Sequence, residues 1–469
     1  INYVIVQDVI FIQVRILSLS YVYLEKRTLW KYLNTDSDAM CELNKESKFI
    51  LLDADCNEEN SRSQSNVCDF DIRSKSMVNL SSGESKRGLP EMITSEVRSR
   101  SFLLGSKGSG FLLGSTELDR LLPNRKISVF VGTWNMNGQV PPNNLDDFIL
   151  PVFVKHVPDI YVVCCQECCS DQKEWEIRIQ ESLGPSHVLL ESLSLGTLVL
   201  CIFIQRDLIW FCSVPEESTV STRSASVFCT KGAVSVGLMI FGTSLLFVNS
   251  HLPAHKERVQ DRISDHKRIV SSLEIPKVLP LSAHKSYSDI TDYFDYVFWC
   301  GDLNFRLMAN RADVIKKIGR GNDFTYDLLC EDQLNQLKEK GIILGDFFEA
   351  PISFPPSYKY DIGTDIFDTS EKKRTPSYTD RIFYKCKKPM EITVINYDIV
   401  MSIRSSDHKP VYGVYEILIK PGKDSIPLGA GIFNRSVFLE GLRRRAMTLE
   451  KQRIDLVSSR AKSMVCGLQ

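Results

Sequence analysis

From Ile127 to Ile419 short apolar runs alternate with polar, glycine-marked breaks. Runs of this length rich in Val, Ile, Phe and Trp predict buried strands. Strands are expected over Ile127–Val131, Asp159–Cys165, Leu198–Gln205, Ile209–Val214, Ala233–Phe241 and Ser244–Asn249, the last two forming a hairpin across Gly242-Thr243. The runs Val297–Cys300, Arg381–Lys385, Ile392–Tyr397 and Val411–Ile419 add four more. Helical spacing marks Arg258–Leu273 and the region Asp323–Lys340, and an aromatic, proline-rich loop covers Phe347–Tyr360. Strands interleaved with helices predict an α/β domain.

Outside that region the pattern is different. Ile1–Leu24 is rich in Ile, Val and Leu, but Asp8 and Arg15 interrupt it. Charges within a stretch of that length are costly in a bilayer, so a spanning helix is not predicted. The basic start and small-residue cleavage site of a signal peptide are missing as well. Its alternation also suits a strand, so the segment stays unassigned. Thr35–Arg100 is poor in aromatics and rich in Ser, Asn, Asp, Glu, Lys and Arg. Such a composition buries too little apolar surface to offset chain ordering and predicts disorder. Phe102–Ser106 recurs as Phe111–Ser115, two short copies that read as linker.

Composition narrows the function. A net charge of -1 excludes bulk electrostatic binding to nucleic acid, so any basic surface must be local. Fourteen cysteines without framework spacing predict a reducing setting rather than a disulfide scaffold. Cys164-Cys165-x-x-Cys168-Cys169 makes half a zinc site, with no second pair at ligand spacing.

One regularity points to chemistry. Asn135, Glu167, Asn249 with His251, and Asp302 with Asn304 each follow a predicted strand. Asp380 precedes one, and Asp407 with His408 lies in a loop leading into another. Acids, amides and histidines recurring at strand ends are what a shared crevice needs. Glu167 and Asp407 are hard oxygen donors suited to Mg²⁺. Asp302 can orient and deprotonate a water, and His408 can pair with a buried acid such as Asp380. Asn135, Asn304 and His251 can donate to phosphate oxygens as charge builds on them. The set suits metal-assisted hydrolysis of a phosphate ester. A Gly-x4-Gly-Lys-[Ser/Thr] loop is missing, which sets aside P-loop NTPases.

Phe298-Trp-Cys-Gly-Asp-Leu-Asn-Phe-Arg306 and Arg374-Thr-Pro-Ser-Tyr-Thr-Asp-Arg-Ile382 resemble the two signature motifs of the inositol polyphosphate 5-phosphatases. Gly132-Thr-Trp-Asn-Met-Asn-Gly138, Gln166-Glu167, Asn249-Ser-His251 and Ser406-Asp-His-Lys-Pro-Val-Tyr-Gly413 are similar to other blocks of that family, in its order. The resemblance spans roughly Arg125 to Gly422. It implies the endonuclease/exonuclease/phosphatase fold, a four-layer sandwich of two mixed β-sheets flanked by helices. The implied organisation is an unassigned segment 1–34, a disordered linker 35–124, a catalytic domain 125–422 and a tail 423–469.

The resemblance also implies roles. Glu167 would hold Mg²⁺ with Asn135 and Asp407 nearby, and Asp302 would activate water beside Asn304. His408 would be supported by Asp380, while His251, within the Asn249 block, would meet the phosphate. Tyr358, Lys359, Lys372 and Arg374 are similar to the family's pocket for the neighbouring 4-phosphate. Arg381 and Lys409, inside the motif blocks, are further expected substrate contacts. Phosphoinositide lipids are the implied substrates. A nuclease of the same fold and a catalytically inactive lipid-anchored module are the rival readings.

The tail closes with Cys466-Gly-Leu-Gln469, a C-a-a-X box suited to farnesylation of Cys466. Upstream, Arg443, Arg444, Arg445, Lys451, Arg453, Arg460 and Lys462 interleave with Leu442, Met447, Leu449, Ile454 and Val457. A basic amphipathic helix beside one lipid chain predicts attachment to an anionic membrane surface, with a prenyl-binding carrier protein as a further partner. Phe433–Leu439 is similar to a ciliary-targeting segment of one branch of the family, which implies the cytoplasmic face of membranes at the Golgi and primary cilium.

Overall fold

The structure, a computed structural model, describes residues 2–6, 9–16, 18–25 and 112–466, except 224–230, 282–288, 320–323, 389–390 and 424. Side chains are described from 112 to 455 within that range. The chain divides into two compact units, Ile1–Glu91 and Met92–Gln469. In the first, β1 (Asn2–Val6), β2 (Val9–Ile16) and β3 (Ser18–Glu25) form an antiparallel meander. The strand alternative for the opening segment is therefore the one adopted. Most of the expected linker lies outside the described residues.

The second unit is built on two six-stranded sheets. One has the order β14-β15-β4-β5-β7-β6: Ile392–Ile399, Val411–Leu418, Lys126–Asn135, Ile160–Gln166, Leu198–Gln205 and His187–Leu195. The other has the order β12-β13-β11-β10-β9-β8: Phe348–Glu349, Asp380–Cys386, Tyr296–Asp302, Thr243–His251, Gly232–Ile240 and Glu216–Ser221. Among the described residues only β4/β5 and β10/β11 are parallel pairs, so both sheets are mixed. This is the expected two-sheet sandwich.

Side chains alternate between two apolar layers, as a period of two requires. Val129, Val131, Val162 and Cys164 face the large core they share with Phe247 and Phe298 of the other sheet. Phe130, Tyr161, Val163 and Cys165 face outward onto a second cluster with Trp134, Phe148 and Trp175. Burial on both faces explains the near-continuous apolar runs in these strands. Gly301 is held at φ +139, and a Cβ there would lie 1.9 Å from the Ser250 carbonyl oxygen. Glycine thus lets β11 lie tightly on β10 just before Asp302.

Eight helices are described in this unit. They are α1 (Ser115–Leu121), α2 (Asp146–Ile149), α3 (Gln172–Leu183), α4 (Val259–Ser272), α5 (Arg311–Ile318), α6 (Phe324–Leu329), α7 (Gln333–Glu339) and α8 (Arg435–Cys466). The expected helical region Asp323–Lys340 is two helices, each anchored separately. Ile209–Val214, expected as a strand, is a 3-10 turn at Ile209–Phe211 with isolated bridges from Cys212 to Ile240 and Ser213 to Leu428. Strand β8 begins only at Glu216.

The expected domain limits are too narrow at both ends. Leu113 and Leu118, placed in the linker, are fully buried in the main core. On the other side Ile426 joins the main core and Val437 joins the outer cluster with Trp134 and Trp175. Helix α8 then lies along α3. Arg444 donates twice to Glu174, at 2.7 and 2.8 Å, and Arg445 donates to the carbonyls of Glu181 (2.9 Å) and Ser182 (3.0 Å) at the end of α3. A guanidinium on the last carbonyls of a helix satisfies acceptors that have no intrahelical donor. Two arginines of the expected basic face are therefore turned onto the domain. Arg453 pairs with Glu450 at 2.7 Å, and Met447, Leu449 and Ile454 are exposed. The side chains of Val457, Arg460, Lys462 and Cys466 lie outside the described residues.

Candidate active site

The ends of β4, β5, β10 and β11 converge on Asp302. Its Oδ2 accepts from Asn135 Nδ2 at 3.1 Å and Asn304 Nδ2 at 3.0 Å, and lies 3.2 Å from His251 Nε2. Its Oδ1 accepts from the Asn304 backbone N–H at 3.1 Å. Asn304 is left-handed at φ +58, a conformation its side chain tolerates and which folds the amide back over the carboxylate. Glu167 is also left-handed, at φ +47, which turns it out of the line of β5. Its Oε1 comes within 3.8 Å of His251 Nε2 while its side chain stays 41% exposed.

Two histidines flank the carboxylate. His251, on β10, is in contact with Lys231 Nζ as well as with Asp302. Burial and then the Lys231 charge lower its pKa, against the pull of Asp302 and Glu167. His408, in the loop before β15, lies 2.9 Å through Nδ1 from Asp380 Oδ2. Burial alone would lower its pKa, but the charge and hydrogen bond of Asp380 outweigh it and raise it to about 9. Asp380 in turn accepts from Ser357 Oγ at 2.6 Å and Thr379 Oγ1 at 2.9 Å. Trp134 Nε1 donates to the His408 carbonyl at 3.1 Å, and Ser406 Oγ donates to the Asn135 carbonyl at 2.7 Å. Burial would push the Asp302 carboxyl up. The His251 hydrogen bond and the positive charges at His408 and Lys231 prevail and hold it far below the usual carboxylate range.

Beside this centre lies a cavity of about 430 Å³ whose lining includes Tyr358, Lys359, Lys372 and Arg374. These are the four residues expected to take a second phosphate. Lys359 Nζ lies 2.5 Å from Asp407 Oδ2, which ties the cavity to the expected metal ligand. The Tyr358 ring lies against His408, centroids 4.4 Å apart and planes tilted by 38°, with the Arg306 guanidinium 4.3 Å from the Tyr358 centroid. Asp368 fixes the cavity loop by accepting from the Arg374 backbone at 2.7 Å.

Three expected site residues are placed elsewhere. Asn249 is fully buried and holds the sheets together: its Nδ2 donates to Cys165 O (3.1 Å) and Val199 O (2.7 Å), and its Oδ1 accepts from Gln166 (2.7 Å). Arg381, expected on the substrate, is fully buried with Asp332 at 3.1 Å and Glu349 at 2.5 Å. Lys409 is also fully buried, donating to Asp365 (2.8 Å) and to the carbonyls of Met401 (3.0 Å) and Ile403 (3.1 Å). The charges of Arg381 and Lys409 are neutralised internally, so these two, like the uncharged Asn249, are structural and do not line the cavity. Conversely, Lys231, Arg306, Ser357 and Thr379 belong to the constellation and were not singled out from sequence. Arg306 and Thr379 stand inside the quoted motifs. Lys231 left no signal, because one lysine ahead of an apolar strand is commonplace.

Metal-ligand chemistry fits part of this set. Glu167, Asn135 and Asp407 are hard oxygen donors of the kind Mg²⁺ takes, and Glu167 retains an accessible carboxylate. Asp302, Asp380 and His408 also lie close enough together to hold an ion. In that trio His408 Nδ1 is engaged with Asp380 Oδ2 at 2.9 Å, an acid–imidazole pair. Among the described residues no such group includes a cysteine.

Residues 132–414 match the Endonuclease/Exonuclease/phosphatase family 2. The chain is 46% identical over 378 residues to the mouse phosphatidylinositol polyphosphate 5-phosphatase type IV, covering 80% of this chain and 58% of that protein. It is 32% identical over 336 residues to the mouse type II inositol 1,4,5-trisphosphate 5-phosphatase, covering 69% of this chain and 32% of that protein. Among solved structures it is similar to the inositol polyphosphate 5-phosphatase domain of SPsynaptojanin, determined with inositol (1,4)-bisphosphate and a calcium ion. That likeness has a TM-score of 0.56 and 29% identity over 72% of this chain and 98% of that one. The chain thus spans less than two thirds of the length of the type IV relatives it matches.

Proposed function

From a chain that belongs to the endonuclease/exonuclease/phosphatase family, and within it to the inositol polyphosphate 5-phosphatases, we propose a Mg²⁺-dependent phosphoinositide 5-phosphatase. Its substrates would be the 4,5-bisphosphate and 3,4,5-trisphosphate of phosphatidylinositol, cleaved at the 5-position by in-line attack of water. The observation that carries this reading is an ionised, fully ringed Asp302 beside a cavity walled by Lys359, Lys372 and Arg374. A phosphomonoesterase needs the first, and recognition of a neighbouring phosphate needs the second.

The chain's own groups divide the work. Asp302 orients the attacking water and takes its proton as the bond from phosphorus to the inositol O5 breaks, the departing oxygen taking a proton from solvent, with Asn304 and Asn135 fixing the carboxylate. His408, charged at neutral pH, donates to an oxygen of the scissile phosphate, and Asp380 holds its ring in place. Neutral His251 and cationic Lys231 border the same oxygens. Arg306 braces Tyr358, whose ring lies tilted against that of His408. Mg²⁺, held by Glu167 with Asn135 and Asp407, would supply charge neutralisation at the phosphate.

Membrane action at a cytoplasmic leaflet, including the Golgi and primary cilium, belongs to the same proposal. Exposed Met447, Leu449 and Ile454 alongside Lys451 support a surface-binding tail. Prenylation of Cys466 and a prenyl-binding carrier extend it, and nucleic acid is not an expected partner of a near-neutral chain.

Phosphate release from both lipids in vesicles is expected with Mg²⁺ and lost with EDTA or in Asp302→Ala. Activity indifferent to EDTA would overturn the mechanism, and plasmid cleavage without lipid phosphate release would assign a nuclease. Unchanged membrane partition of Cys466→Ser would remove the prenyl proposal.

A further inference from the structure

We propose that a second cavity, alongside the first, holds another phosphate of the same inositol ring, the one adjacent to the phosphate in the first cavity. This rests on the 5-phosphatase reading above. The second cavity, about 190 Å³, is bordered by Lys256, Arg306, Lys372, Lys373 and Arg374, with Glu257 its one acid. Lys372 and Arg374 line both cavities, so anions in the two would share ligands. Groups sharing ligands in this way sit on neighbouring carbons. With the 5-phosphate at Asp302 and the 4-phosphate in the first cavity, the remaining neighbour is the 3-phosphate.

The walls are built for this rather than left as a solvated charge run. The loop carrying Lys372-Lys373-Arg374 is pinned from three directions: Lys373 N–H donates to Ser370 O at 3.0 Å, Arg374 N–H to Asp368 at 2.7 Å, and Arg311 to Arg374 O at 2.8 Å. Lys373 sits at φ +38, a left-handed conformation that a lysine rarely adopts. It borders the second cavity and not the first. From the opposite wall, Lys256 Nζ is steadied by the Met308 carbonyl at 3.1 Å. Arg306 connects the cavity to the reacting centre, donating to Asn304 Oδ1 at 2.5 Å while stacking on Tyr358. Cations gathered without matching acids repel one another, and a phosphate relieves that repulsion.

The test is the Lys256→Ala/Lys373→Ala double variant, which leaves Lys372, Arg374 and the reacting centre intact. On vesicles with the 3,4,5-trisphosphate lipid kcat/KM should fall about tenfold or more, the scale of lost charge-assisted hydrogen bonds. On the 4,5-bisphosphate lipid it should stay within about twofold, because no phosphate reaches that cavity. Lys373→Arg should keep the discrimination. Calorimetric titration of the Asp302→Ala chain with inositol 1,3,4,5-tetrakisphosphate and 1,4,5-trisphosphate should show a preference for the former that the added double substitution removes. Equal losses on both lipids, or no loss on the trisphosphate, would overturn the proposal. Absence of phosphate release from either lipid by the unmodified chain would defeat the 5-phosphatase reading instead, and the headgroup titration would still report on the cavity.

Discussion

His251 and His408 come from different sheets and face the same carboxylate, yet their surroundings drive them to opposite charge states. Both are buried, so desolvation lowers the pKa of each. The difference lies in the other neighbour. His251 meets a lysine, which adds to the desolvation, and His408 meets Asp380, which overrides it. Asp380 can do so because Ser357 and Thr379 donate to the same oxygen and stabilise its charge. A pair of identical side chains thereby becomes one neutral group and one cationic donor. For a reaction that gathers negative charge on phosphate oxygens, this places a fixed positive charge near Asp302 without neutralising the base itself.

The comparison breaks most severely if its shared centre is removed. Asp302→Ala is expected to lower kcat by about 10²–10⁴-fold, the range for loss of a general base, with both histidine pKa values falling in NMR titration as each loses an anion. Asp380→Asn removes the larger cause of the asymmetry. The alkaline limb of the pH–rate profile, expected near about 9 in the parent, should move to lower pH. Stability follows the same sign. The folded pKa of His408 lies above its ordinary 6.5, so its contribution is complete below about 6.5 and is lost as pH rises to about 9. Asp380→Asn should flatten that slope in urea unfolding measured at pH 6, 8 and 9.5. Lys231→Met acts on the other histidine. His251 should titrate at higher pH, and kcat should fall by about tenfold for one lost charge-assisted contact. The smallest effect is expected from Thr379→Val, which removes one of the donors to Asp380. A loss of about 1 kcal/mol in unfolding free energy should accompany only a slight shift of the alkaline limb.

The strand ends, the sandwich and most members of the centre were legible in sequence, because buried strands leave unbroken apolar runs and the polar residues closing them stand out. Motif membership was a weaker guide to role. Arg374 and Arg381 are the first and last residues of one eight-residue block, yet one borders the cavity and the other, on β13, is buried with two acids. Nothing local distinguishes them. The acids that neutralise Arg381, Asp332 at the start of α7 and Glu349 on β12, are distant in sequence and meet it only in the fold. Asn249 differs from its sequence expectation for a related reason. An amide two residues before a site histidine shares its strand face, but its partners are carbonyls of the opposite sheet. Helix α3 and strand β6 left weaker patterns, because their half-buried faces mix Glu, Gln and Ser with apolar residues. In sequence Arg444 and Arg445 belong to a basic, membrane-directed face, and only the fold places Glu174 and the carbonyls ending α3 opposite them.

That docking gives α8 a mechanical character. The helix has 32 residues, a length of about 48 Å at 1.5 Å per residue. Its clamps on α3 lie between Arg444 and Thr448, and the stretch from Leu449 to Cys466 adds about 27 Å beyond them. Whatever engages the far end therefore pulls on a cantilever rather than on a leash. The torque passes to α3, whose first turn begins a few residues after Glu167 and whose Trp175 packs 5.9 Å from Trp134. Trp134 in turn grips the His408 backbone. A load applied at one end of this lever bears on the segments that carry Glu167 and His408.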